Sequence, residues 1–244
     1  MSRVLCWFSC GAASAYATYL AKQKYGEIHA AYCRVAEEHE DNIAFLNQYE
    51  QKFGVHIHML QNDKYNGSVY DVINSVKFIK GPHGAPCTRL LKKEVRKAYQ
   101  RPDDVQVFGY TAEEEDRANR FIDANNSVNA DFLLLDKGIT KSECIEWLQD
   151  VGLKVPTMYR LGYSNNNCVG CVKGGMGYWN AIRVDFPEQF KKMAATERRI
   201  GHAILKDKDG PVFLDELAPD RGNFSRDMPG DCGFTCEWKQ EDLF

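Results

Sequence analysis

The sequence predicts an α/β fold with a doubly wound, mainly parallel sheet. Apolar runs typical of short buried strands occupy residues 4–8, 28–35 and 55–60, and helical patterns separate them. Alternation of this kind requires crossover connections, which make successive strands parallel and place helices on both faces of the sheet. These observations cover the first quarter of the chain, and a further strand at 105–109 continues the pattern.

The remaining elements follow from periodicity and capping residues. Helices are expected at 42–53, 90–99, 112–124, 140–151, 178–183 and 187–200. Thr140 and Glu143 form a capping-box pattern, and Gly152 is a stop signal for the same helix. Residues 218–244 are rich in Gly, Pro and Asp and are expected to be mostly loop. The simplest division is an α/β domain at 1–155 and a helical, loop-rich extension at 156–244 packed on the same core.

Composition restricts the class of protein. With 44% hydrophobic and 27% charged residues, the chain resembles a globular protein, and it has no apolar run near the roughly 18 residues of a membrane span. The first residues lack the apolar region of a signal peptide, so we expect a cytoplasmic protein with no membrane partner. The net charge of −3 argues against a general nucleic-acid binder.

The nine cysteines are the strongest chemical signal. A reducing compartment disfavours disulfides, so closely spaced cysteines indicate metal or redox chemistry. Cys168 and Cys171 form a Cys-x2-Cys pair in a loop rich in Gly and Asn, where two thiolates can converge on one metal. The cysteines in apolar strand or helix patterns are expected to be buried core thiols: Cys6, Cys33 and Cys144.

A second signal is the turn at 9–14, where small and hydroxyl residues separate the first strand from a helix. Backbone N–H groups at such a helix start can bind a phosphate or sulfate, although tight packing also favours small residues there. Residues 77–101 contain eight Lys and Arg and one acid, Glu94, which indicates either an anion site or a solvated helix face.

A third signal lies at 109–120, after the strand at 105–109. Parallel α/β sheets bind ligands at the carboxyl ends of their strands, which favours a site here. The alternative is a solvated helix that carries i,i+4 ion pairs such as Glu113 with Arg117.

The turn Ser9-Cys10-Gly11-Ala12-Ala13-Ser14 resembles the PP-loop of the adenine nucleotide α-hydrolase superfamily, usually Ser-Gly-Gly-x-Asp-Ser. Cys10 stands in place of the first Gly, and Ala13 stands in place of the Asp. Loops altered in this way resemble those of the phosphoadenosine phosphosulfate reductase branch. The segment at 109–120 resembles that branch's Gly-x-Arg-x-x-Glu-Ser-x-x-Arg motif. Tyr110 or Thr111 takes the place of its basic residue, and Glu114, Arg117 and Arg120 keep its charges.

This resemblance implies a HUP/PP-loop-like sheet that binds an adenine nucleotide, either ATP or phosphoadenosine phosphosulfate. The implied nucleotide-binding residues are Ser9, Cys10, Gly11, Ala12, Ser14, Tyr110, Glu114 and Arg117. Glu38, His39 and Asn42 follow the second strand, where this fold commonly meets the adenosine. The implied anion-binding residues are Arg89, Lys92, Lys93 and Arg96, with Arg160 and Lys173 as further candidates.

Cysteine-rich members of the superfamily bring one cysteine together with a later Cys-x2-Cys pair, which matches Cys87, Cys168 and Cys171 and implies a 4Fe-4S cluster. The fourth ligand is left open between Cys232, Cys236 and an exogenous sulfur. A structural zinc site is the alternative, formed by Cys168, Cys171, Cys232 and Cys236.

Asp231-Cys232-Gly233-Phe234 is similar to the Glu-Cys-Gly-Leu-His motif of sulfonucleotide reductases, which makes Cys232 the expected nucleophile. The leading hypothesis is a phosphoadenosine phosphosulfate reductase-like enzyme served by a thioredoxin-like reductant. The alternative is an ATP-dependent PP-loop sulfurtransferase, which would use a sulfur donor and an RNA or DNA acceptor. A module that senses a nucleotide without turnover is the third possibility.

Overall fold

A computed structural model describes residues 2–82, 84–230 and 232. The chain divides into two compact units made of interleaved stretches. The sheet unit comprises Met1–Arg34, Glu40–Gln61 and Val95–Leu161, and the cysteine unit comprises Val35–His39, Asn62–Glu94 and Gly162–Phe244. The predicted boundary at residue 155 divides the chain once, whereas the units alternate along it, because two stretches before residue 95 make their contacts in the cysteine unit.

The sheet unit contains a five-stranded sheet. Its strands are β1 (Val4–Phe8), β2 (His29–Cys33), β3 (Ile57–Leu60), β4 (Val105–Val107) and β5 (Asn129–Asp131). They lie in the order β3-β2-β1-β4-β5, and every pairing is parallel. The predicted α/β class with a parallel sheet is therefore confirmed.

The α-helices, in chain order, are α1 (Ala12–Tyr25), α2 (Asp41–Phe53), α3 (Val69–Val76), α4 (Glu94–Tyr99), α5 (Glu115–Ala124), α6 (Leu133–Asp136), α7 (Lys141–Asp150), α8 (Thr157–Arg160), α9 (Met176–Asp185) and α10 (Pro187–Ile200). A π-helix spans Thr88–Lys93, and 3-10 turns span Asp63–Tyr65, Ala112–Glu114 and Leu214–Glu216. No helix in the described part of the chain is long and apolar enough to cross a membrane.

The helix predicted at 140–151 is confirmed together with its capping box. The Thr140 side chain accepts from the Glu143 backbone N–H, and the Glu143 carboxylate accepts from the Thr140 backbone N–H. Gly152 has φ +68°, the left-handed conformation that ends helices. The helix predicted at 90–99 differs, because its first part is the π-helix that follows Cys87.

Small and apolar side chains build the core of the sheet unit. All five residues of β1 are buried, and α1 packs on β1, α6 and α7. The ring of Trp147 stacks on Tyr16 at 4.5 Å and on Phe53 at 5.7 Å. Cys6, Cys33 and Cys144 are buried, as predicted. Burial raises the pKa of the Cys144 thiol to about 12, as expected for an inert core cysteine.

The cysteine unit has its own core around α9 and α10, where Trp179 and Ile182 are fully buried. An antiparallel hairpin follows, formed by β6 (Leu205–Asp207) and β7 (Gly210–Val212). The Glu197 carboxylate of α10 is buried and accepts hydrogen bonds from the backbone N–H groups of Ile204 and Leu214. Residues 218–230 contain no helix or strand, as predicted for this part of the tail.

Candidate functional site

The sheet has one topological switch point, between β1 and β4. The chain proceeds from β1 to β2 and β3 on one side, and β4 and β5 lie on the other. Open parallel sheets bind ligands in the crevice at this point, beyond the carboxyl ends of the strands. The loop after β1 and the loop after β4 both lie there, so the fold brings together the two segments that the sequence singled out.

The loop at 9–14 has a defined hydrogen-bond pattern. The Ser14 hydroxyl accepts from the Ser9 backbone N–H and the Ser9 hydroxyl, both at 3.0 Å, and donates to the Gly11 carbonyl at 3.0 Å. Cys10 has φ +57°, the left-handed region that favours glycine, and its side chain is buried. The helix α1 starts with no acidic residue in its first turn and no side-chain cap, so its partial positive charge faces the loop.

Tyr159 also reaches this loop, which the sequence did not predict. Its hydroxyl oxygen accepts from the Ala12 backbone N–H at 3.2 Å. The short helix α8 carries Tyr159 and is held by Asp41, whose carboxylate accepts from the Thr157 backbone N–H at 2.8 Å and hydroxyl at 2.6 Å. No sequence signal connects residues 12 and 159, because the contact depends only on the tertiary fold.

The second segment forms a capped turn and an ion pair. The Glu114 carboxylate accepts from the Thr111 backbone N–H at 3.2 Å and pairs with Arg117. The Arg117 guanidinium lies 4.9 Å from the centroid of the buried Tyr110 ring. The ion pair is thus i,i+3 rather than the expected pair with Glu113, whose carboxylate accepts instead from the Lys141 backbone N–H. These contacts fix the turn that follows β4.

We predict that Gly109→Ala destabilises the sheet unit by about 2–3 kcal/mol. A methyl group at Gly109 would lie 2.7 Å from the Ser14 nitrogen and 2.8 Å from Ser14 Cα, so the backbone after β4 would have to move away from α1. Urea unfolding measures the loss. Gly230→Ala is the control, because a methyl group there meets no atom of the described residues within 4 Å, and an equal loss in both variants would contradict the prediction.

The cysteine unit contains the second candidate site, a cavity in its interior. Four thiols line it: Cys87, Cys168, Cys171 and Cys232. The structure therefore unites the predicted triad with Cys232, although these cysteines come from three separate parts of the chain. Cys236 lies outside the described residues.

Each cysteine is placed by a different element. Cys87 directly precedes the π-helix, a rare helix type that is frequent at functional sites. The next residue, Thr88, shares a hydrogen bond with the Cys232 thiol, with 3.3 Å between Oγ1 and Sγ. Cys168 forms an antiparallel bridge with Glu38, and the Val169 N–H donates to the Glu37 carbonyl at 2.8 Å. The stretch at 35–39 is thus a backbone support for the Cys-x2-Cys loop.

Tyr178 organises the same loop from the other side. Its buried hydroxyl accepts from the backbone N–H groups of Gly170 at 3.1 Å and Cys171 at 2.8 Å, and donates to the Cys168 carbonyl at 3.3 Å. One phenol therefore fixes both ends of the Cys-x2-Cys segment. The only sequence signal for it is position, seven residues after Cys171 at the start of a helix.

Two lysines supply positive charge near the thiols. Lys92 pairs with Glu38 at 2.9 Å, and the two side chains are 12% and 3% exposed. Burial acts to lower the pKa of Lys92, but Glu38 and the thiols of Cys232 and Cys168 outweigh it and raise that pKa well above its usual value. Burial and Cys232 raise the pKa of Cys171 to about 11, and Lys173, which lines the cavity, opposes this rise.

Two of the other predicted basic residues, Arg89 and Arg160, contact neighbouring protein groups. Arg89 pairs with Glu94 at 2.6 Å, and Lys93 is half-buried. Arg160 donates to the Thr157 hydroxyl and the Val155 carbonyl within the sheet unit. The prediction that Arg96 faces a substrate is wrong, because its side chain is 1% exposed and lies over the rings of Phe108 and Phe121. The Glu38 carboxylate forms an ion pair with Lys92.

The donor set of the cavity fits a metal cluster in its chemistry. Four cysteine thiolates are the usual ligands of a 4Fe-4S cluster. Among residues 2–82, 84–230 and 232, no group of three or more His, Cys, Asp or Glu side chains is arranged to hold a metal ion. Four cysteine thiolates are also the ligand set of many structural zinc sites.

We predict that Tyr178→Phe weakens metal binding by the cavity about tenfold and costs about 1–3 kcal/mol of stability. The variant keeps the ring but leaves two buried N–H groups of the Cys-x2-Cys loop without their acceptor. Iron content and the rate of iron loss to a chelator measure the effect. Tyr163→Phe, which removes a hydroxyl bound to Asp185 in the same unit, is the control and should retain iron. Equal iron loss in both variants would contradict a specific role for Tyr178.

No protein-family model matches this chain, and no curated protein matches it.

Proposed function

We propose that the chain is a 4Fe-4S enzyme of sulfur chemistry that acts on an adenine nucleotide, of the PP-loop type and similar to the phosphoadenosine phosphosulfate reductase branch. One observation carries the proposal: Cys87, Cys168, Cys171 and Cys232 line one cavity. Three of these residues are the triad that the family resemblance implies, and a cytoplasmic, reducing location would keep them as thiols.

The ligand set favours a cluster over zinc. The zinc alternative uses Cys232 and Cys236 with the Cys-x2-Cys pair and has no place for Cys87, whereas Cys87 lines the cavity with the other three thiols. The ammonium groups of Lys92 and Lys173 complement the negative charge that four thiolates bring to a cluster. When bound, such a cluster supplies one-electron chemistry and a site for sulfur.

The sheet unit supports the nucleotide part of the proposal. The strand order and the loop between β1 and α1 suit a phosphate at the start of the helix. Cys10 has the left-handed backbone that the PP-loop glycine would provide. The Ala12 N–H donates to the Tyr159 hydroxyl, whose place a phosphate oxygen would take.

The position of Cys232 favours ATP-dependent sulfur transfer over reduction of a sulfonucleotide. A thiol that completes a four-cysteine site is not available as a nucleophile, so the reductase reaction loses its attacking group. In sulfur transfer, an acceptor oxygen attacks the α-phosphate of ATP and releases pyrophosphate. A sulfur nucleophile then displaces AMP from the activated carbon. RNA or DNA with a carbonyl-bearing base is the acceptor class.

The reductase is the second candidate. Cys232 is only half-buried, and its thiol lies near the positive charge of Lys92. Its thiolate would attack the sulfur of phosphoadenosine phosphosulfate and displace adenosine bisphosphate. A thioredoxin-like dithiol would then release sulfite from the thiosulfonate and leave oxidised as a disulfide.

Two assays on anaerobically purified protein test the proposal. One measures AMP and pyrophosphate formed from ATP with sulfide and RNA or DNA, and the other measures sulfite formed from phosphoadenosine phosphosulfate with thioredoxin. We expect AMP formation that depends on the nucleic acid. Sulfite production that disappears in Cys232→Ser would support the reductase instead, and protein without iron would refute the cluster.

A further inference from the structure

The segment before Cys232 is tied to the start of α9 by one carboxylate. Asp227 Oδ2 accepts from the backbone N–H groups of Gly177 at 2.7 Å and Asn223 at 2.8 Å, and the Asp227 carbonyl accepts from the Gly175 N–H at 2.8 Å. The contact leaves no room for side chains, because a methyl group on Gly177 would lie 2.4 Å from the Asn223 carbonyl carbon. Asp227 therefore anchors the segment on the helix that carries Tyr178.

Two asparagine amides hold the next residues toward the cavity. Asn165 Nδ2 donates to the Pro229 carbonyl at 2.9 Å, and Asn167 Nδ2 donates to the Gly230 carbonyl at 3.3 Å. Asn167 is 5% exposed and lines the cavity, and Pro229 is buried. These amides lie directly before the Cys-x2-Cys loop, and the carbonyls lie two and three residues before Cys232. The loop that carries two of the thiols thus holds the segment that delivers the fourth.

We propose that Asn165, Asn167 and Asp227 are positioning residues that place the Cys232 thiol in the cavity. Cys168 and Cys171 are fixed by Tyr178 and by the stretch at 35–39. Cys232 is held by its hydrogen bond with Thr88 and by side-chain bonds to the segment before it. The role as a cluster ligand rests on the proposed function, but the positioning does not.

Selective alkylation of the full-length chain, as purified anaerobically, tests this inference. A short pulse of iodoacetamide is followed by peptide mass spectrometry, which gives a rate for each cavity cysteine. In Asn165→Ala/Asn167→Ala, we expect the rate at Cys232 to rise about tenfold, because two hydrogen bonds to its segment are lost. The rates at Cys87, Cys168 and Cys171 should stay within about twofold of wild type.

Asn180→Ala is the matched control. Its amide makes the same kind of bond, to the carbonyls of Ala218 and Arg221, but upstream of the Asp227 anchor. It should leave the rate at Cys232 unchanged. A second variant, Asp227→Asn, keeps the size of the side chain and should also raise the rate at Cys232 selectively.

The outcomes separate this inference from the proposed function. An unchanged rate at Cys232, or an equal rise at all four cysteines, overturns the positioning role even if the protein contains iron. Selective exposure of Cys232 in a protein that contains no iron supports the positioning role and refutes the cluster. The alkylation rates therefore decide the positioning role, and the iron content of the same samples decides the cluster.

Discussion

Cys171→Ala is expected to leave the purified protein with almost no bound iron or sulfide. Cys171 is buried, lines the cavity and has its backbone N–H fixed by Tyr178, so under the proposed function it is a ligand that the fold has already placed. The proposed 4Fe-4S cluster contains four iron atoms, so the expected change is from about four to about zero per chain. Iron and acid-labile sulfide analysis after anaerobic purification measures it.

Cys144→Ala is the matched control for this substitution. Cys144 is also buried, but it belongs to the core of the sheet unit, so its loss removes a thiol of similar burial without touching the cavity. It should retain the iron. If Cys171→Ala kept a full complement of iron, or if wild-type protein bound zinc alone, the assignment of the cavity as a cluster site would be wrong.

The sequence predicted those features that depend on local pattern. The alternation of strands and helices, the capping box at Thr140 and the core position of Cys6 each follow from neighbours a few residues away. The strand β5 was not identified because its residues, Asn-Ala-Asp, have low strand propensity and depend on pairing with β4. The π-helix was likewise expected to be an α-helix, because its six residues are too few to reveal the wider i→i+5 spacing in the sequence.

The candidate site was only partly predictable, because its supports come from distant parts of the chain. Cysteine order and the Cys-x2-Cys spacing indicated which thiols to group. Nothing in the pattern connects Tyr159 with residue 12 or Asn167 with the segment before Cys232, because such contacts are set by tertiary packing. The sequence also placed one residue wrongly. Arg96 belongs to a basic run and was expected to face solvent or substrate, but its guanidinium lies over two aromatic rings.

The buried ion pair between Glu38 and Lys92 connects the backbone support of the Cys-x2-Cys loop to the π-helix that follows Cys87. Glu38 bridges to Cys168 through its backbone and to Lys92 through its carboxylate. Lys92 in turn carries its charge near Cys168 and Cys232. Two segments that bear cavity thiols therefore depend on one electrostatic contact that is almost entirely removed from water.

Glu38→Gln is expected to reduce the free energy of unfolding by about 3–5 kcal/mol, because it leaves the buried Lys92 ammonium without its carboxylate. Urea unfolding in anaerobic buffer measures the loss. The double variant Glu38→Gln/Lys92→Met should lose less stability than Glu38→Gln alone, since it removes the uncompensated charge as well.

Glu188→Gln is the control. The pair of Glu188 with Lys191 has nearly the same length, 2.8 Å, but both side chains are at least 70% exposed. Its loss should therefore cost less than about 1 kcal/mol of stability. Equal losses in Glu38→Gln and Glu188→Gln would show that burial of the Glu38–Lys92 pair contributes nothing to the integrity of the thiol cavity.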